Sequence, residues 1–174
     1  MIGLLSIGHY PNVCVHKEKR KVLTTESRAA LIHKSSVNCP HKFQELKFPL
    51  PFFVFSEKIR TKAVSCKNMT MVTPLHLLLF GSKRIQIMEN DTIRLDNWIN
   101  LKMNPHTVAK ILALRPALDQ LISDVSTNPE RVYELGESKV VQVISKLCHL
   151  QAADFQLAST APVYTNSYCF HPQY

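Results

Sequence analysis

The hydrophobic periodicity of the chain changes at Met103, and this change constrains the fold more than any other feature of the sequence. Before Met103, apolar residues come in short alternating or β-branched runs, a pattern typical of β-strands. After it, they recur at the spacing of one helix face. The pairs Asn104-Pro105 and Asn128-Pro129 each predict a helix start, because asparagine caps a helix and proline is tolerated in its first turn. The sequence therefore predicts a mainly β fold with α additions, a small OB-like Greek-key barrel followed by two C-terminal helices.

One short helix is predicted among the strands, because Thr73-Pro74 forms a capped start and Gly81 an end. In the helical half, Pro116 predicts a kink or a break, and Gly136 a further interruption. The predicted strands are Asn12–His16, Val22–Thr25, Ala29–His33, Phe52–Ser56 and Arg60–Cys66, with a later hairpin of Arg84–Met88 and Thr92–Leu95.

Length and composition exclude several classes of protein. A chain of 174 residues that is 45% hydrophobic is long enough to bury its own core and too apolar to be disordered. It has neither an apolar run of membrane-spanning length nor a signal-peptide pattern. The five cysteines are odd in number and lack C-x-x-C spacing, which predicts free thiols in a reducing, intracellular compartment. The pairs Cys14/His16 and Cys39/His41 have an unusual spacing for zinc ligands, so no metal site is predicted.

The positive charge is concentrated in the N-terminal half. Residues 1–87 contain 14 Lys and Arg against four Asp and Glu, whereas residues 88–174 contain seven against nine. A net charge of +10 in one half favours a surface for a polyanion such as nucleic acid. A membrane surface is less favoured, because no amphipathic helix carries these lysines.

Sequence motifs of enzymes are missing. The chain has no G-x-x-x-x-G-K-[ST], G-x-S-x-G or H-E-x-x-H, and its four glycines are too few for a glycine-rich phosphate loop. We therefore expect no catalytic residue, cofactor or small-molecule substrate.

Three groups of residues are candidates for contact with single-stranded RNA. Alternate residues of a strand repeat every ~6.6 Å, which is similar to the length of one stretched nucleotide. Lys58, Arg60 and Lys62 are therefore predicted to form a ladder of cations on one face of a strand. The run that begins at Lys17 lies in a polar loop, and His33 ends a strand, where its ring can stack on a base or simply satisfy local hydrogen bonds. The candidate RNA-binding residues are Lys17, Lys19, Arg20, Lys21, His33, Lys34, Ser35, Ser36, Lys58, Arg60 and Lys62.

Two segments carry a resemblance to a known family. The segments YPNVCVHKEKRKVLTTESRAALIHKSSVNCP (Tyr10–Pro40) and PFFVFSEKIRTKAVSCKNMTMVTPLHLLLFGSK (Pro51–Lys83) resemble the C-terminal helicase-associated OB-fold region of the RNA helicase A/maleless family of DExH-box RNA helicases. The resemblance runs from about Ile2 to Phe155, and the segments VLTTES and SCK are most similar to the insect maleless branch. Its HKSS/HKTS strand-end loop, which contacts RNA in the family, is matched by His33–Ser36.

The resemblance implies a domain organisation. It identifies residues 1–9 as the remnant of a preceding helical domain, 10–103 as an OB-like RNA-binding barrel, 104–155 as a helical segment and 156–174 as a disordered tail. In place of the family's glycine-rich tail, this last segment has neither glycine nor charge. We expect the N-terminal ATPase domains of the family to be absent from this chain.

The resemblance also implies a function. We expect a non-catalytic accessory module that binds single-stranded or uridine-rich RNA in the nucleus, as part of dosage compensation and as a fragment or truncated paralogue of a helicase. A helicase core or ribonucleoprotein proteins are further expected partners. The alternative is a protein-interaction module that docks on a helicase core or a partner without binding RNA itself.

Overall fold

A computed structural model describes residues 1–25, 29–39 and 47–150 of the protein. The described residues form ten strands, six α-helices and one 3₁₀ helix. The strands are β1 (Val13–Glu18), β2 (Lys21–Thr24), β3 (Ala29–Ile32), β4 (Phe52–Val54), β5 (Glu57–Arg60), β6 (Val64–Lys67), β7 (Thr70–Met71), β8 (Ile85–Ile87), β9 (Thr92–Leu95) and β10 (Ile99–Lys102). The helices are α1 (Ile2–His9), α2 (Pro74–Phe80), α3 (Pro105–Leu112), α4 (Arg115–Thr127), α5 (Val132–Gly136) and α6 (Lys139–Cys148), and the 3₁₀ helix is Pro129–Arg131.

Strands β1 to β7 form a closed barrel. They are hydrogen-bonded in the order β5-β6-β3-β2-β1-β4-β7. Only two residues separate β4 from β5 and two separate β6 from β7, so each pair is one bent strand. Because β5 pairs with β6 and β4 pairs with β7, the two bent strands lie side by side and close a five-stranded barrel. The pairing of β3 with β6 is parallel, and the fold is mainly β with an OB-type barrel, as predicted.

The barrel interior is filled by one face of each strand. Cys14, Val22, Ala30 and Cys66 are each at most 3% exposed, and they belong to a cluster that also includes Ile32, Phe53, Phe55 and Met69. Side chains of successive strand residues point to opposite faces, so residues between these ones face outward. Burial and a hydrogen bond with Cys66 raise the pKa of the Cys14 thiol.

A second core joins the outside of the barrel to the remaining elements. The outward side chains of Val13, Phe52 and Val54 pack with α2 and with the inner face of the three-stranded sheet β10-β9-β8. Helices α3, α4 and α6 contribute Val108, Leu118 and other residues to the same cluster. This shared core is a main source of stability, because burying apolar surface contributes about 25 cal/mol per Å².

Helix α2 confirms the predicted capping. The Thr73 hydroxyl accepts the backbone N–H of His76 at 3.2 Å, and the His76 ring accepts the N–H of Thr73 at 3.3 Å. Burial lowers the pKa of His76 to about 4, so the ring is neutral and able to accept. The helix ends at Gly81 as predicted, although this residue has φ −120° and does not use the left-handed conformation.

The helical half follows its prolines. Asn104 caps α3 through a 2.9 Å bond to the N–H of His106, which confirms that start. The predicted break near Pro116 is confirmed, since α3 ends at Leu112 and Pro116 lies in the first turn of α4. The second predicted start is corrected, because Asn128 makes no side-chain cap and opens a 3₁₀ helix. Each of the two predicted helices is thus divided, the second near Gly136.

Two further sequence predictions have different outcomes. The hairpin after α2 is confirmed as β8 and β9. The single strand predicted over Arg60–Cys66 is wrong, because β5 ends at Arg60, turns through residues 61–63 and returns as β6. Residues 26–28 and 40–46, which lie between predicted strands, the last five residues of the predicted helical segment 104–155 and the tail 156–174 lie outside the described residues. None of the described helices is long and apolar enough to cross a membrane.

A polar cluster joins the start of the barrel, the turn between β9 and β10, the C-terminal end of α2 and the start of α4. The Tyr10 hydroxyl donates to a carboxylate oxygen of Asp96, whose other oxygen accepts the N–H groups of Lys83 and Arg84 at 2.9 and 3.0 Å. Arg115, at the start of α4, donates to the carbonyls of Leu78 and Ser82 at 2.6 and 2.7 Å. These last two bonds satisfy carbonyls at and beyond the C-terminus of α2, a place where a helix lacks its own partners.

Candidate nucleic-acid interface

One end of the barrel brings together residues from three strands and from the turn between β1 and β2. Ile32 of β3 donates its N–H to the carbonyl of Arg20 at 2.8 Å, and it is aligned with Cys66 of β6, which in turn is aligned with Lys58 of β5. Arg20, Ile32, Cys66 and Lys58 therefore form one row across the sheet. Adjacent strands lie about 4.8 Å apart, so the two cations at the ends of this row flank a strip of about 14 Å.

The loop His33–Ser36 lies at the middle of this end, directly after β3. The N–H of His33 donates to the carbonyl of Cys66 at 2.9 Å, which fixes the start of the loop beside β6. Lys34 and Ser35 are exposed, while His33 and Ser36 are half-buried. The side chains of this loop therefore reach the surface of the barrel.

The ring of His33 is held in one orientation. Its Nδ1 atom lies 2.8 Å from the hydroxyl of Ser35 and accepts the N–H of Ser35 at 3.2 Å. Because Nδ1 accepts, the proton of the neutral ring is on Nε2. The loop thus offers an N–H donor, an ammonium group and a second hydroxyl, on Ser36, from one rigid turn.

The turn between β1 and β2 places cations on one side of this loop. Lys19 and Arg20 form the turn, and Lys21 begins β2. Arg20 donates two guanidinium bonds to the carbonyl of Ile32 at 3.2 and 2.7 Å, so its charge is positioned next to His33 while its other N–H groups stay available. Lys17, at the end of β1, is half-buried, and this burial lowers its pKa.

Ion pairs between described residues neutralise two cations at this end. Lys21 pairs with Glu18 at 2.7 Å, and Lys67 of β6 pairs with Glu57 at 3.3 Å. The amine of Lys21 is the first cause that lowers the pKa of Glu18. Exposed pairs of this kind are worth about 0–1 kcal/mol, so an incoming phosphate can displace the carboxylates.

The predicted ladder on the fifth strand is corrected. Lys58 and Arg60 do lie two residues apart on β5, but Lys62 belongs to the turn between β5 and β6. The pairing of Arg60 with Val64 places this turn at the far end of the hairpin, about 10 Å along β6 from Lys67. The structure therefore groups Lys58 with the loop His33–Ser36 and places the other two cations further away.

Three residues at this end were missed by the sequence analysis. Lys67 lies across from Glu57 and follows Cys66 at the carboxyl end of β6, beside the start of the His33 loop. His16 and Phe48 lie near the turn between β1 and β2, with their ring centroids 4.8 Å apart. The signal for Lys67 is the parallel pairing of β3 and β6, which no local pattern reveals.

Potential metal ligands are not clustered in the part of the chain that the structure describes. Among the described residues, no three His, Cys, Asp or Glu side chains are grouped so that they could hold a metal ion. Cys14, which heads the first C-x-H pair, faces the barrel interior and is 0% exposed. His41 of the second pair lies outside the described residues.

Comparisons with known proteins agree with the barrel. Residues 2–85 match the family model described as the oligonucleotide/oligosaccharide-binding (OB)-fold. The chain is 31% identical over 145 residues to the DExH-box ATP-dependent RNA helicase DExH3 of Arabidopsis thaliana, which covers 81% of this chain and 12% of that protein. It is 28% identical over 153 residues to DExH1 of the same organism (86% and 15%) and 28% identical over 158 residues to the ATP-dependent DNA/RNA helicase DHX36 of Bos taurus (85% and 15%). The chain thus spans less than a sixth of the length of these relatives.

Proposed function

Residues 2–85 are an OB-fold region homologous to the C-terminal domain of DExH-box RNA helicases, and from this premise we propose that the chain binds single-stranded RNA as a non-catalytic accessory module. The relatives are named as ATP-dependent helicases. The OB-fold region alone is not catalytic. Its contribution is a surface on which an RNA strand can be held.

The observation that supports this proposal is the arrangement of cations around the loop His33–Ser36. Lys19, Arg20 and Lys21 lie on the β2 side of the loop, and Lys58 and Lys67 lie on the β6 and β5 side. Phosphates that run across this end of the barrel would meet a cation on each side of a loop able to contact bases. OB folds bind oligonucleotides through strands 2 and 3 and the adjoining loops, and β2 and β3 are those strands here.

Three finer statements belong to the same proposal. We propose a preference for uridine-rich RNA, a nuclear location and a role of the maleless type in dosage compensation. They are supported by the resemblance of Tyr10–Pro40 and Pro51–Lys83 to the maleless branch. A comparison of uridine-rich with cytidine-rich oligomers of one length tests the first of them.

The test of RNA binding is its dependence on salt. We expect the chain to bind a labelled uridine-rich 15-nucleotide RNA, with log K falling against log salt at a slope of about −3 if four or five phosphates are contacted. The affinity would then fall on the order of fiftyfold to a hundredfold between 50 and 200 mM KCl, as measured by fluorescence anisotropy. Absence of binding, or binding that salt does not weaken, would falsify the proposal.

A specific observation favours the second candidate function, docking on another protein. Helix α1 has its small residues inside and its large apolar residues outside. Gly3 and Ser6 are buried, with Gly3 against the ring of Phe80, whereas Leu4 is 66% exposed. Ile2, Leu5 and Ile7 are exposed on the same helix. An apolar surface of this kind is typical of a contact with another domain or protein.

Replacing Leu4 by glutamate tests this docking. We expect the variant to lose roughly tenfold to a hundredfold in affinity for a recombinant DExH helicase core, since burying one leucine side chain contributes about 1.5–3 kcal/mol. The affinity of the variant for RNA should not change, because α1 is distant in sequence from the loop His33–Ser36 and does not pair with the strands that adjoin this loop. The measurement is biolayer interferometry with the chain immobilised.

The matched control for this test is Val143→Glu. Val143 is also exposed and apolar, at 44%, but it lies on α6. Equal losses for the two variants, or no loss for Leu4→Glu, would refute docking through α1.

A further inference from the structure

Two half-buried rings stand beside the cations of the β1–β2 turn. The rings of His16 and Phe48 meet edge to face, with centroids 4.8 Å apart and planes at 81°. Phe48 packs against the core of the barrel, in which Phe53 is 0% exposed. Both His16 and Phe48 nevertheless remain partly exposed to solvent.

Both rings are fixed in place. The Nε2 atom of His16 lies 2.9 Å from the carbonyl of Lys19. A carbonyl can only accept, so Nε2 carries the proton in this bond. The backbone N–H of His16 donates to the carbonyl of Pro51 at 2.7 Å. Phe48 in turn packs edge to face on Phe53, with ring centroids 4.9 Å apart.

From this geometry we propose that His16 and Phe48 form a stacking subsite for one unpaired nucleobase. The proposal rests on the proposed function, because it assigns a base to a surface that already binds the backbone. The bond from His16 to the carbonyl of Lys19 places the rings directly under the turn that carries Lys19 and Arg20. Phosphates bound by those cations would bring the adjoining base onto the rings.

The chemistry of single-strand binding fits this arrangement. Proteins that hold an unpaired strand combine a positive groove for the backbone with aromatic side chains on which bases stack. Stacking tolerates every base, because each has a π face. The two rings would therefore add affinity without fixing the sequence, while the donors of the loop His33–Ser36 contact base edges.

The experiment compares a uridine-rich RNA with an abasic ribose-phosphate oligomer of the same length. We expect Phe48→Leu to weaken binding of the RNA about tenfold and binding of the abasic oligomer less than twofold, since stacking on one aromatic side chain accounts for that range. Phe48→Tyr should bind as the wild type does. The slope against salt should be the same for all three proteins, because no phosphate contact is lost.

A matched control uses an aromatic residue elsewhere. Phe80 is also half-buried and stacks on a histidine, His76, with ring centroids 5.9 Å apart, but it lies on α2. Phe80→Leu should leave the affinity for RNA unchanged. Thermal melts of all variants show whether each one folds.

A second variant keeps the proposal falsifiable if Phe48→Leu fails to fold. In Phe48→Trp, saturating RNA should quench the fluorescence of the new indole. The wild type, whose only tryptophan is Trp98, should not show this quenching. If the wild type binds both oligomers but Phe48→Leu shows no selective loss, or Phe48→Trp no added quenching, the subsite alone is overturned. Failure of the wild type to bind either oligomer overturns the proposed function as well.

Discussion

Replacing Arg115 by methionine is expected to lower the free energy of unfolding by about 3 kcal/mol. The guanidinium donates to the carbonyls of Leu78 and Ser82, and Ser82 is 1% exposed. Methionine keeps the length of the aliphatic stem but donates no hydrogen bond. Each carbonyl would then be left unsatisfied, and a bond to a charged donor is worth about 1.5–3 kcal/mol.

The measurement is thermal and urea unfolding followed by circular dichroism. For a chain of this length, 1 kcal/mol moves the melting temperature by about 2–4 °C, so a fall of roughly 6–12 °C is expected. Arg131→Met is the control, because Arg131 is exposed and its ion pair with Glu134, at 3.3 Å, lies on the surface. Its melting temperature should stay within about 2 °C of the wild type.

The result also tests how the helical half is joined to the barrel. Arg115 begins α4, while the carbonyls that it binds belong to α2 and the residues after it. If Arg115→Met melts like Arg131→Met, these bonds do not hold the two parts together, and the shared hydrophobic core alone does so.

Local signals account for the parts of the fold that the sequence predicts. Thr73-Pro74 and Asn104-Pro105 determine caps within a few residues, and the helices begin where those pairs stand. The turn between β5 and β6 was missed because Thr61-Lys62-Ala63 contains none of the glycine, proline, asparagine or aspartate residues that usually mark a turn. Without such a signal, Arg60–Cys66 has the alternation of one strand.

The missed parts of the candidate site have a different cause. His33–Ser36 could be recognised as a strand end, but its neighbours depend on pairing between distant strands. Residues more than 30 positions apart, Ile32 and Cys66, are aligned by the parallel contact of β3 with β6. The proximity of Lys67 to the loop follows from that contact alone. The stacking pair of His16 and Phe48 likewise joins segments that are separated by β2 and β3.

Reversing two cations beside the His33 loop is expected to weaken RNA binding on the order of a hundredfold at 100 mM KCl, because two phosphate contacts are lost and two repulsions added. The variant is Lys19→Glu with Lys34→Glu, since both side chains are exposed and neither forms an ion pair with another described residue. Arg20 is kept because its bonds to the carbonyl of Ile32 hold the strand end. The slope of log K against log salt should also become shallower by about 1.4.

The position of the charges, rather than their number, decides the outcome. Arg60→Glu with Lys62→Glu lowers the net charge from +8 to +4, as Lys19→Glu with Lys34→Glu does. Arg60 and Lys62 lie toward the far end of the β5–β6 hairpin, so we expect this variant to lose less than about tenfold in affinity for RNA. Lys110→Glu with Lys139→Glu makes the same change on α3 and α6, and should cost about twofold through general attraction alone. If the three double variants lose equal affinity, RNA is held by net charge. If the hairpin variant loses most, the strand runs along β5. Only a loss concentrated in the Lys19 and Lys34 variant places RNA across the end of the barrel.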